Sequence, residues 1–396
     1  MKTFDNAIAS LQMNNLLNLD NLTFEEVLAG DFFDELKTSL NWAQYIAKLN
    51  SNLDEVDTLC GITTAQIPTS GKGINIRNAI NLRINTLNSC LDYSNASQGF
   101  LSDFGNIIPD TGNPILSKSG TETHATFASV LKVDSTFYMY YYDGLSISLA
   151  TSIDGRSWQK YGSNPVLLRG VAGAWDDERI WCANVWIEDD IWYMTYAGRK
   201  DLDESLIGLA TSVNGINWTK YVSNPIITPQ AETWEEEGLE IWGLIKVGLI
   251  YYAFIDIPSS ANRKIGVVTS TDLITWTRDE NNPIFETGRF CVCPIKFKDY
   301  YYLMVMHYTV GTDYAEIELY RDSNPTFYST DREFLGVIKE ASLAGWDGVD
   351  ADTPFVVTDD IHRDSFNSTN GELWIYYSGN STTWAECLLK SRVINI

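Results

Sequence analysis

The stretch that decides the fold begins with Ala150-Thr-Ser-Ile-Asp-Gly-Arg-Ser-Trp158 and ends with Asn164-Pro165-Val166. A second copy runs through Trp218 to Asn224-Pro225-Ile226, and a third runs through Trp276 to Asn282-Pro283-Ile284. The three tryptophans follow one another at intervals of 60 and 58 residues. A period of this length is typical of one supersecondary unit that packs against copies of itself.

Tyrosine-rich strands accompany the repeat. One precedes each copy and two more follow the last copy, so that five such segments lie at 137–142, 192–196, 251–254, 300–304 and 373–377. Residues 104–396 therefore hold five units of about 58 residues, each with strands for one small antiparallel sheet. Radial repetition of four-stranded sheets produces a β-propeller. We predict an all-β fold, a five-bladed β-propeller of four-stranded antiparallel blades.

The two ends of the repeat region complement each other. The fifth unit ends at the C-terminus without an Asn-Pro strand, whereas an extra Asn113-Pro114-Ile115-Leu116 stands before the first complete unit. We expect the strand near 112–118 to supply the outer strand of the last blade. Such pairing would cover a free sheet edge and lock the ring.

Residues 1–98 show a helical pattern instead. A capping box at Thr23–Glu26 precedes apolar residues spaced four apart from Leu28 to Leu40, and a second helix is predicted over 75–92. We predict an α-helical N-terminal segment over 1–98 and the propeller over 99–396. The segment either packs on itself or mediates attachment and oligomerisation, and the pattern favours neither.

Composition excludes several classes of partner. The net charge is −24, from 28 basic and 52 acidic residues, which argues against nucleic acid and anionic membranes as ligands. The sequence contains no apolar run long enough to span a bilayer, and its first residues do not resemble a signal peptide. We therefore expect a protein that is cytoplasmic as synthesised. The six cysteines lack metal-binding spacing and are predicted to be free thiols.

Polar residues collect where the inner strands are predicted to begin, near 124, 182, 240, 291 and 352. In a propeller these strands line the central channel, so acidic side chains from distant parts of the chain converge at one mouth. Acid–base chemistry on a glycosidic bond needs such an arrangement, with one protonated and one ionised carboxyl group. Neighbouring tryptophans, among them Trp181 and Trp242, provide rings of the kind that stack on sugars.

The repeat resembles the five-bladed β-propeller glycoside hydrolases, which include the arabinanase/β-xylosidase group (family 43) and the invertase group. The resemblance covers about 104–396 and rests on Ala-Thr-Ser-x-Asp-Gly-x-x-Trp and Asn-Pro-[Val/Ile]. Trp181-Cys182-Ala183-Asn184-Val185 stands where the arabinanase-like pattern has Trp-Ala-Pro-Asp-Val, and Asp352-Thr353-Pro354 fits an acidic strand start. The resemblance implies a protein that acts on or binds a polysaccharide at the central mouth.

The family's two catalytic motifs are replaced in this chain. The first blade, where the family has Asp-Pro with the general base, reads His124-Ala125-Thr126-Phe127. The fourth blade, where it has Glu-x-Pro with the general acid, reads Val292-Cys293-Pro294. The best catalytic candidates are therefore Glu240 and Asp352. No metal or cofactor is expected, and the predicted substrate-binding residues are His124, Glu178, Arg179, Asn184, Trp181, Trp242, Arg289 and Asp350.

Simpler structural roles compete with these assignments. Glu178 and Arg179 are also explained as an ion pair, His124 as a strand cap, and the repeated tryptophans as packing between blades. Three functions consequently stay open. The protein is a glycoside hydrolase, a glycan-binding propeller without catalysis, or a structural component of a larger assembly. A bacteriophage tail attached through residues 1–98 and released by lysis is an example of the third.

Overall fold

The structure is a computed structural model. It describes residues 107–110, 112–200, 204–231, 233–258, 263–286, 288–308, 315–339, 350–366, 372–380 and 384–392. The chain divides into two units, Met1–Asn95 and Ala96–Ile396, and every described residue belongs to the second. The helices expected over 1–98 therefore lie outside the described residues. Within the described ranges the chain forms strands and turns, and none of their segments is a helix that could span a membrane.

Two short strands precede three four-stranded antiparallel sheets. The short strands are β1 (Ile108–Pro109) and β2 (Leu116–Ser117). Blade 1 contains β3 (Thr126–Val133), β4 (Thr136–Tyr142), β5 (Ile147–Ser152) and β6 (Gln159–Lys160). Blade 2 contains β7 (Arg179–Glu188), β8 (Ile191–Arg199), β9 (Leu206–Ser212) and β10 (Trp218–Lys220). Blade 3 contains β11 (Glu240–Val247), β12 (Ile250–Asp256), β13 (Ile265–Ser270) and β14 (Thr277–Arg278).

The last two blades follow the same plan. Blade 4 contains β15 (Arg289–Phe297), β16 (Tyr300–Tyr308), β17 (Ala315–Asp322) and β18 (Glu333–Lys339). Blade 5 contains β19 (Asp350–Val356), β20 (Glu372–Asn380) and β21 (Trp384–Arg392), and its outer position is filled by β1 and β2, which both pair with β21. The inner strands β3, β7, β11, β15 and β19 each contact the next one, and β19 contacts β3. The five-bladed propeller is thus confirmed.

A side-chain clamp explains the Asn-Pro motif. In blade 1 the Asn164 amide accepts from the backbone N–H of Leu149 (2.8 Å) and donates to its carbonyl (2.9 Å). Asn224 binds Leu209 in the same way, and Asn282 binds Val267. One amide therefore satisfies both polar groups of a residue in the third strand, much as a paired backbone would.

The same clamp closes the ring. The Asn113 side chain accepts from the backbone N–H of Leu388 (2.8 Å) and donates to the Leu388 carbonyl (3.1 Å). Next to it, the Ile115 N–H donates to the Glu386 carbonyl at 2.9 Å. Leu116 pairs in register with Glu386, so the segment expected to complete blade 5 lies against β21. The fifth Asn-Pro motif differs, because Asn324 accepts only from Thr326 in a local turn.

Neighbouring blades are joined by tyrosines that bind the Ser-x-Asp-Gly turns. Tyr376 of blade 5 donates to the Gly155 carbonyl of blade 1 (2.8 Å), and Tyr140 donates to the Gly215 carbonyl of blade 2 (2.6 Å). Gly155 has a φ of 68°, and an added Cβ would lie 2.3 Å from the Trp374 ring, so both backbone and space require glycine. Trp158 packs edge-on against Tyr376, as expected for interblade packing.

We predict that Asn113→Ala destabilises the protein by about 2–3 kcal/mol, because two backbone groups of Leu388 lose their partner. Equilibrium urea unfolding of the full chain measures the change. Asn324→Ala is the matched control, since it alters the same motif in a local turn and should cost less. Equal losses in the two variants would contradict a special role for the clamp at the closure.

Candidate functional site

All five inner strands carry a register shift near their first residues. At four of these bulges a non-glycine residue has a positive φ, at Phe127 (61°), Cys182 (55°), Cys291 (50°) and Thr353 (49°). Such angles are uncommon outside glycine. These four residues and Trp242 border a narrow cavity lined by all five blades. The bulges therefore place one residue from each blade around the channel axis.

Glu240 and Asp256 form a buried carboxyl pair beside this cavity. Glu240 begins β11 and lies opposite Asp256, the last residue of β12. The Trp242 indole N–H donates to both, at 3.2 Å to Glu240 and 3.0 Å to Asp256, while that of Trp181 donates to Glu240 at 2.9 Å. The backbone N–H of Cys291 donates to the second Asp256 oxygen at 3.0 Å. Donors from blades 2, 3 and 4 thus converge on two carboxyl groups.

Burial controls the charge of this pair. Asp256 is 1% exposed, and burial, followed by the charge of Glu240, raises its pKa well above the usual value. Arg263 approaches Glu240 at 4.0 Å. Burial lowers the pKa of Arg263, but the charges of Glu240 and Asp256 outweigh it and raise the pKa overall. Burial therefore favours the neutral form of Asp256, and the Arg263 guanidinium lies close to Glu240.

Asp352 lies at the same end of the ring and is 6% exposed. Burial first, and then the charges of Asp352 and Asp256, raise the pKa of the Cys291 thiol. Burial, followed by the charges of Glu240, Asp256 and Asp352, raises the pKa of Cys182. Since both thiols respond to carboxyl groups from blades 3 and 5, the structure brings Glu240 and Asp352 to one mouth. Both thiols are buried, free and neutral at ordinary pH.

Glu386 is a fourth buried acid and lies next to Asp352. Asp352, Ser378 and Glu386 lie opposite one another on three adjacent strands, so their side chains share a face of blade 5. One Glu386 oxygen accepts from Ser378 (3.0 Å) and from the Ala128 N–H of blade 1 (3.1 Å). Burial, with a smaller contribution from Asp352, raises the pKa of Glu386 to about 8. Glu386 is therefore protonated, and hence uncharged, at neutral pH.

The opposite mouth of the channel is covered by the segment that follows β19. Its Ile361 and Arg363 carbonyls accept from the backbone N–H groups of Lys246 (3.0 Å) and Lys296 (2.9 Å). The Arg363 side chain is 7% exposed and donates to the Pro294 carbonyl at 2.6 Å. The segment thus joins blades 3 and 4 at the mouth opposite Glu240 and Asp352.

Other sequence-predicted residues lie around this mouth. Arg179 begins β7, and its guanidinium carbon is 5.0 Å from the Trp181 ring centre. The His124 ring lies 5.2 Å from that of Tyr142, and burial, Lys118 and Arg179 lower the pKa of His124. Trp181 is 5% exposed, so it serves Glu240 rather than offering a face to a sugar. Asp350 begins β19, and its side chain is outside the described part.

Three predicted binding residues have structural partners. Glu178 forms a bidentate ion pair with Arg199 (2.7 and 2.8 Å), so the suggested Glu178–Arg179 pair is wrong. Arg289 is held by both oxygens of Glu318 (2.7 and 3.0 Å). The side chain of Asn184 is 6% exposed and donates to the Ile241 carbonyl at 3.1 Å, which links blades 2 and 3.

Sequence reasoning missed Asp256, Arg263 and Glu386. Asp256 and Glu386 belong to second and third strands of blades, whereas the search considered only inner strands. The hairpin pairing of β11 with β12 was a usable signal for Asp256, because it places the end of one strand beside the start of the other. Arg263 follows β12 in the chain. No local pattern in the sequence predicts that its side chain approaches Glu240.

One group of described residues has ligand atoms close enough for a metal ion. His307, Glu316 and Glu318 place them within 4.8 Å of one another. His307 Nδ1 lies 2.9 Å from Glu318 and 3.3 Å from Glu316. Because Arg289 already binds both oxygens of Glu318, a cation would have to compete with the guanidinium. The cluster is adequately explained as an ion-pair network.

The solved structures with a similar fold include several glycoside hydrolases. One described by that name matches with a TM-score of 0.54 and 16% identity, over 71% of this chain and 91% of that chain. A family 117 glycoside hydrolase from the marine bacterium Zobellia galactanivorans gives 0.53 and 12%, over 72% and 90%. An exo-1,5-α-L-arabinanase from a bovine ruminal metagenomic library gives 0.50 and 14%, over 70% and 99%.

No protein-family model and no curated protein sequence matches the chain. At identities of 12–16% the structural likeness shows the fold. The chain therefore has the five-bladed propeller architecture found in glycoside hydrolases, and its chemistry has to be argued from its own residues.

We predict that Glu386→Gln removes a pH dependence of stability. The usual glutamate pKa is 4.5 and that of folded Glu386 is about 8, so the folded state holds the extra proton between these values. The free energy of unfolding should fall as pH rises through this window, by up to about 1.4 kcal/mol per unit. Glutamine cannot ionise and retains an oxygen for Ala128 and Ser378.

Urea unfolding of both proteins across this pH range is the measurement. The variant should gain stability relative to the parent as pH rises towards 8 and differ little near pH 4.5. A constant difference at all pH values would contradict a buried, protonated Glu386.

Proposed function

We propose that the propeller binds a carbohydrate at the mouth where its inner strands begin and hydrolyses a glycosidic bond there. The observation that carries the proposal is the convergence of Glu240, Asp256 and Asp352 at one end of the channel, beside Arg263. Glycosidic hydrolysis requires a proton donor and a second carboxylate on opposite sides of the scissile bond. The similar fold of glycoside hydrolases supports this reading of the site.

The two carboxyl groups take different roles. Burial and the charge of Glu240 raise the pKa of Asp256 well above its usual value, and we assign Glu240, which is 7% exposed against 1% for Asp256, to the side of the departing glycosidic oxygen. Asp352 faces the anomeric carbon as general base or nucleophile. Because Glu386 retains its own proton, no second negative charge is buried next to Asp352 on this face of the blade.

A second candidate is glycan binding without hydrolysis. It is favoured by the residues in the first and fourth blades, where the resemblance implies carboxylates. Thr126 is buried there in blade 1, and Val292 and Cys293 are buried in blade 4. Neither a hydroxyl nor an apolar side chain can replace a general acid or base of the usual strength.

We propose separately that the segment over 1–98, predicted to be helical, mediates attachment or self-association. If it oligomerises, light scattering of the full chain should give a mass that is a multiple of 44.6 kDa. A monomeric mass would contradict self-association. None of the similar structures named above is a tail protein, so the comparisons give the bacteriophage-tail alternative no support.

We predict that Glu240→Gln and Asp352→Asn each reduce hydrolysis by about 10²–10⁴-fold, because each removes a group that donates or accepts a proton in the transition state. The assay measures release of reducing ends from plant and bacterial polysaccharides, and of the chromophore from aryl glycosides. Circular dichroism checks that each variant is folded.

Glu188→Gln is the matched control. Glu188 ends β7 at the opposite mouth, where it is bound by Lys246 and Tyr251, so its removal should leave the rate unchanged. Full activity in both Glu240→Gln and Asp352→Asn would contradict the assigned site. Binding on a glycan array without turnover of any substrate would support the second candidate instead.

A further inference from the structure

Two arginines face each other across the first hairpin of blade 2, and only one of them is neutralised. Arg179 and Arg199 are directly opposite in the β7–β8 register. Glu178 binds the Arg199 guanidinium through two hydrogen bonds, at 2.7 and 2.8 Å. No described carboxylate forms an ion pair with Arg179. Its Nε is buried and has no hydrogen-bond partner among the described residues.

Arg179 is part of the mouth that contains the carboxyl groups. Its guanidinium lies over the Trp181 ring at 5.0 Å, and the Trp181 indole N–H binds Glu240. Its charge also acts on both aromatic neighbours from blade 1. Together with burial and Lys118 it lowers the pKa of His124, and through its charge and a side-chain hydrogen bond to Tyr142 it opposes the burial that raises the pKa of that tyrosine. The Arg179 guanidinium therefore lies near Glu240 and is separated from it by the Trp181 ring.

The other guanidinium groups near this mouth are already engaged. Arg263 is shared by Glu240 and Asp256, and Arg289 by both oxygens of Glu318. A buried N–H donor without an acceptor is costly, and a guanidinium fork matches a carboxylate with two parallel hydrogen bonds. In a chain of net charge −24, an anionic ligand needs a local cation that no protein carboxylate has neutralised. Arg179 meets that requirement.

We propose that Arg179 binds the carboxylate of a uronic acid, so that the glycan recognised at this mouth is an acidic one. The inference rests on the proposed carbohydrate function and specifies its substrate class. The Arg179 guanidinium lies over the Trp181 ring, and the Trp181 indole N–H binds Glu240. Trp181 therefore fixes the position of the sugar carboxylate relative to Glu240. Arg179 is thus assigned as a specificity-determining residue.

Isothermal titration calorimetry with the full chain tests the proposal. The probes are oligogalacturonides, oligomannuronates and glucuronic-acid-substituted xylo-oligosaccharides, each beside a counterpart whose carboxyl groups are reduced to primary alcohols. At least one acidic probe should bind about tenfold or more tightly than its reduced counterpart, as expected for a charge-assisted pair. The preference should shrink as salt is added, because the pair is partly exposed to screening.

Arg179→Gln should abolish the preference for the acidic probe and leave affinity for the reduced one unchanged. Arg179→Lys, which keeps the charge but loses the fork, should retain part of the preference. Lys132→Gln is the matched control, because Lys132 lies near the far end of inner strand β3 and its loss removes the same charge. This variant should bind like the parent protein.

Four outcomes would overturn the inference. If acidic and reduced probes bind equally, the acidic substrate class is wrong while the carbohydrate function stands. If Arg179→Gln keeps the full preference, the carboxylate binds elsewhere. If both the acidic probes and their reduced counterparts fail to bind while other neutral glycans bind, the uronic acid assignment fails. If no glycan binds at all, the proposed function fails with it. Should Arg179→Gln not fold, Arg179→Lys and the salt dependence of the parent protein decide the question.

Discussion

The Asn113 side chain joins the two ends of the propeller across 275 residues of sequence. Elsewhere the same clamp links strands of one blade that are only 15 residues apart, so there it organises local structure. At the closure it fixes β1 and β2 on β21 and thereby sets blade 5 against blade 1. The hydrogen bonds of Ser378 and Glu386 to Phe127 and Ala128 cross that seam. The mouth is therefore shaped by the closure as much as by any single blade.

Charge balance in the mouth depends on protons as well as on arginines. Carboxyl groups occur there in two neighbouring sets, Glu240 with Asp256 and Asp352 with Glu386. In each set burial raises the pKa of one member and so favours its neutral form, Asp256 in the first set and Glu386 in the second. Two adjacent buried carboxylates would repel each other strongly, and a retained proton avoids that cost. The same arrangement is what acid catalysis requires, because a group that keeps its proton near neutral pH can donate it.

The fold was predictable because blades 1, 2 and 3 repeat the same local chemistry and blade 5 receives the same clamp from Asn113. The Asn-Pro and Ser-x-Asp-Gly motifs each make defined hydrogen bonds, so their periodicity indicated blade number and boundaries. The closure followed from counting those motifs, since Asn113 had no unit of its own. The site was predictable only in part. Glu240 begins β11 and Asp352 lies near the start of β19, so the search of inner strands selected both, whereas Asp256 and Glu386 belong to other strands and reach the mouth through pairing and burial that sequence spacing does not encode. Glu178 forms its ion pair with Arg199 across the β7–β8 hairpin, a contact that adjacency in the chain does not predict.

The position of the carboxyl groups in the ring bears on whether the site can be catalytic. The resemblance to family 43 implies carboxylates on blades 1 and 4, whereas this chain has them on blades 3 and 5. In a ring of five, each of these pairs consists of next-nearest neighbours, separated by one intervening blade. The two arrangements are therefore related by a rotation about the channel axis and give the same angular separation. Loss of the usual motifs in blades 1 and 4 does not by itself remove a facing pair of carboxyl groups. The proposed selection of an acidic ligand by Arg179 would then act from blade 2, outside the two blades that carry these carboxyl groups.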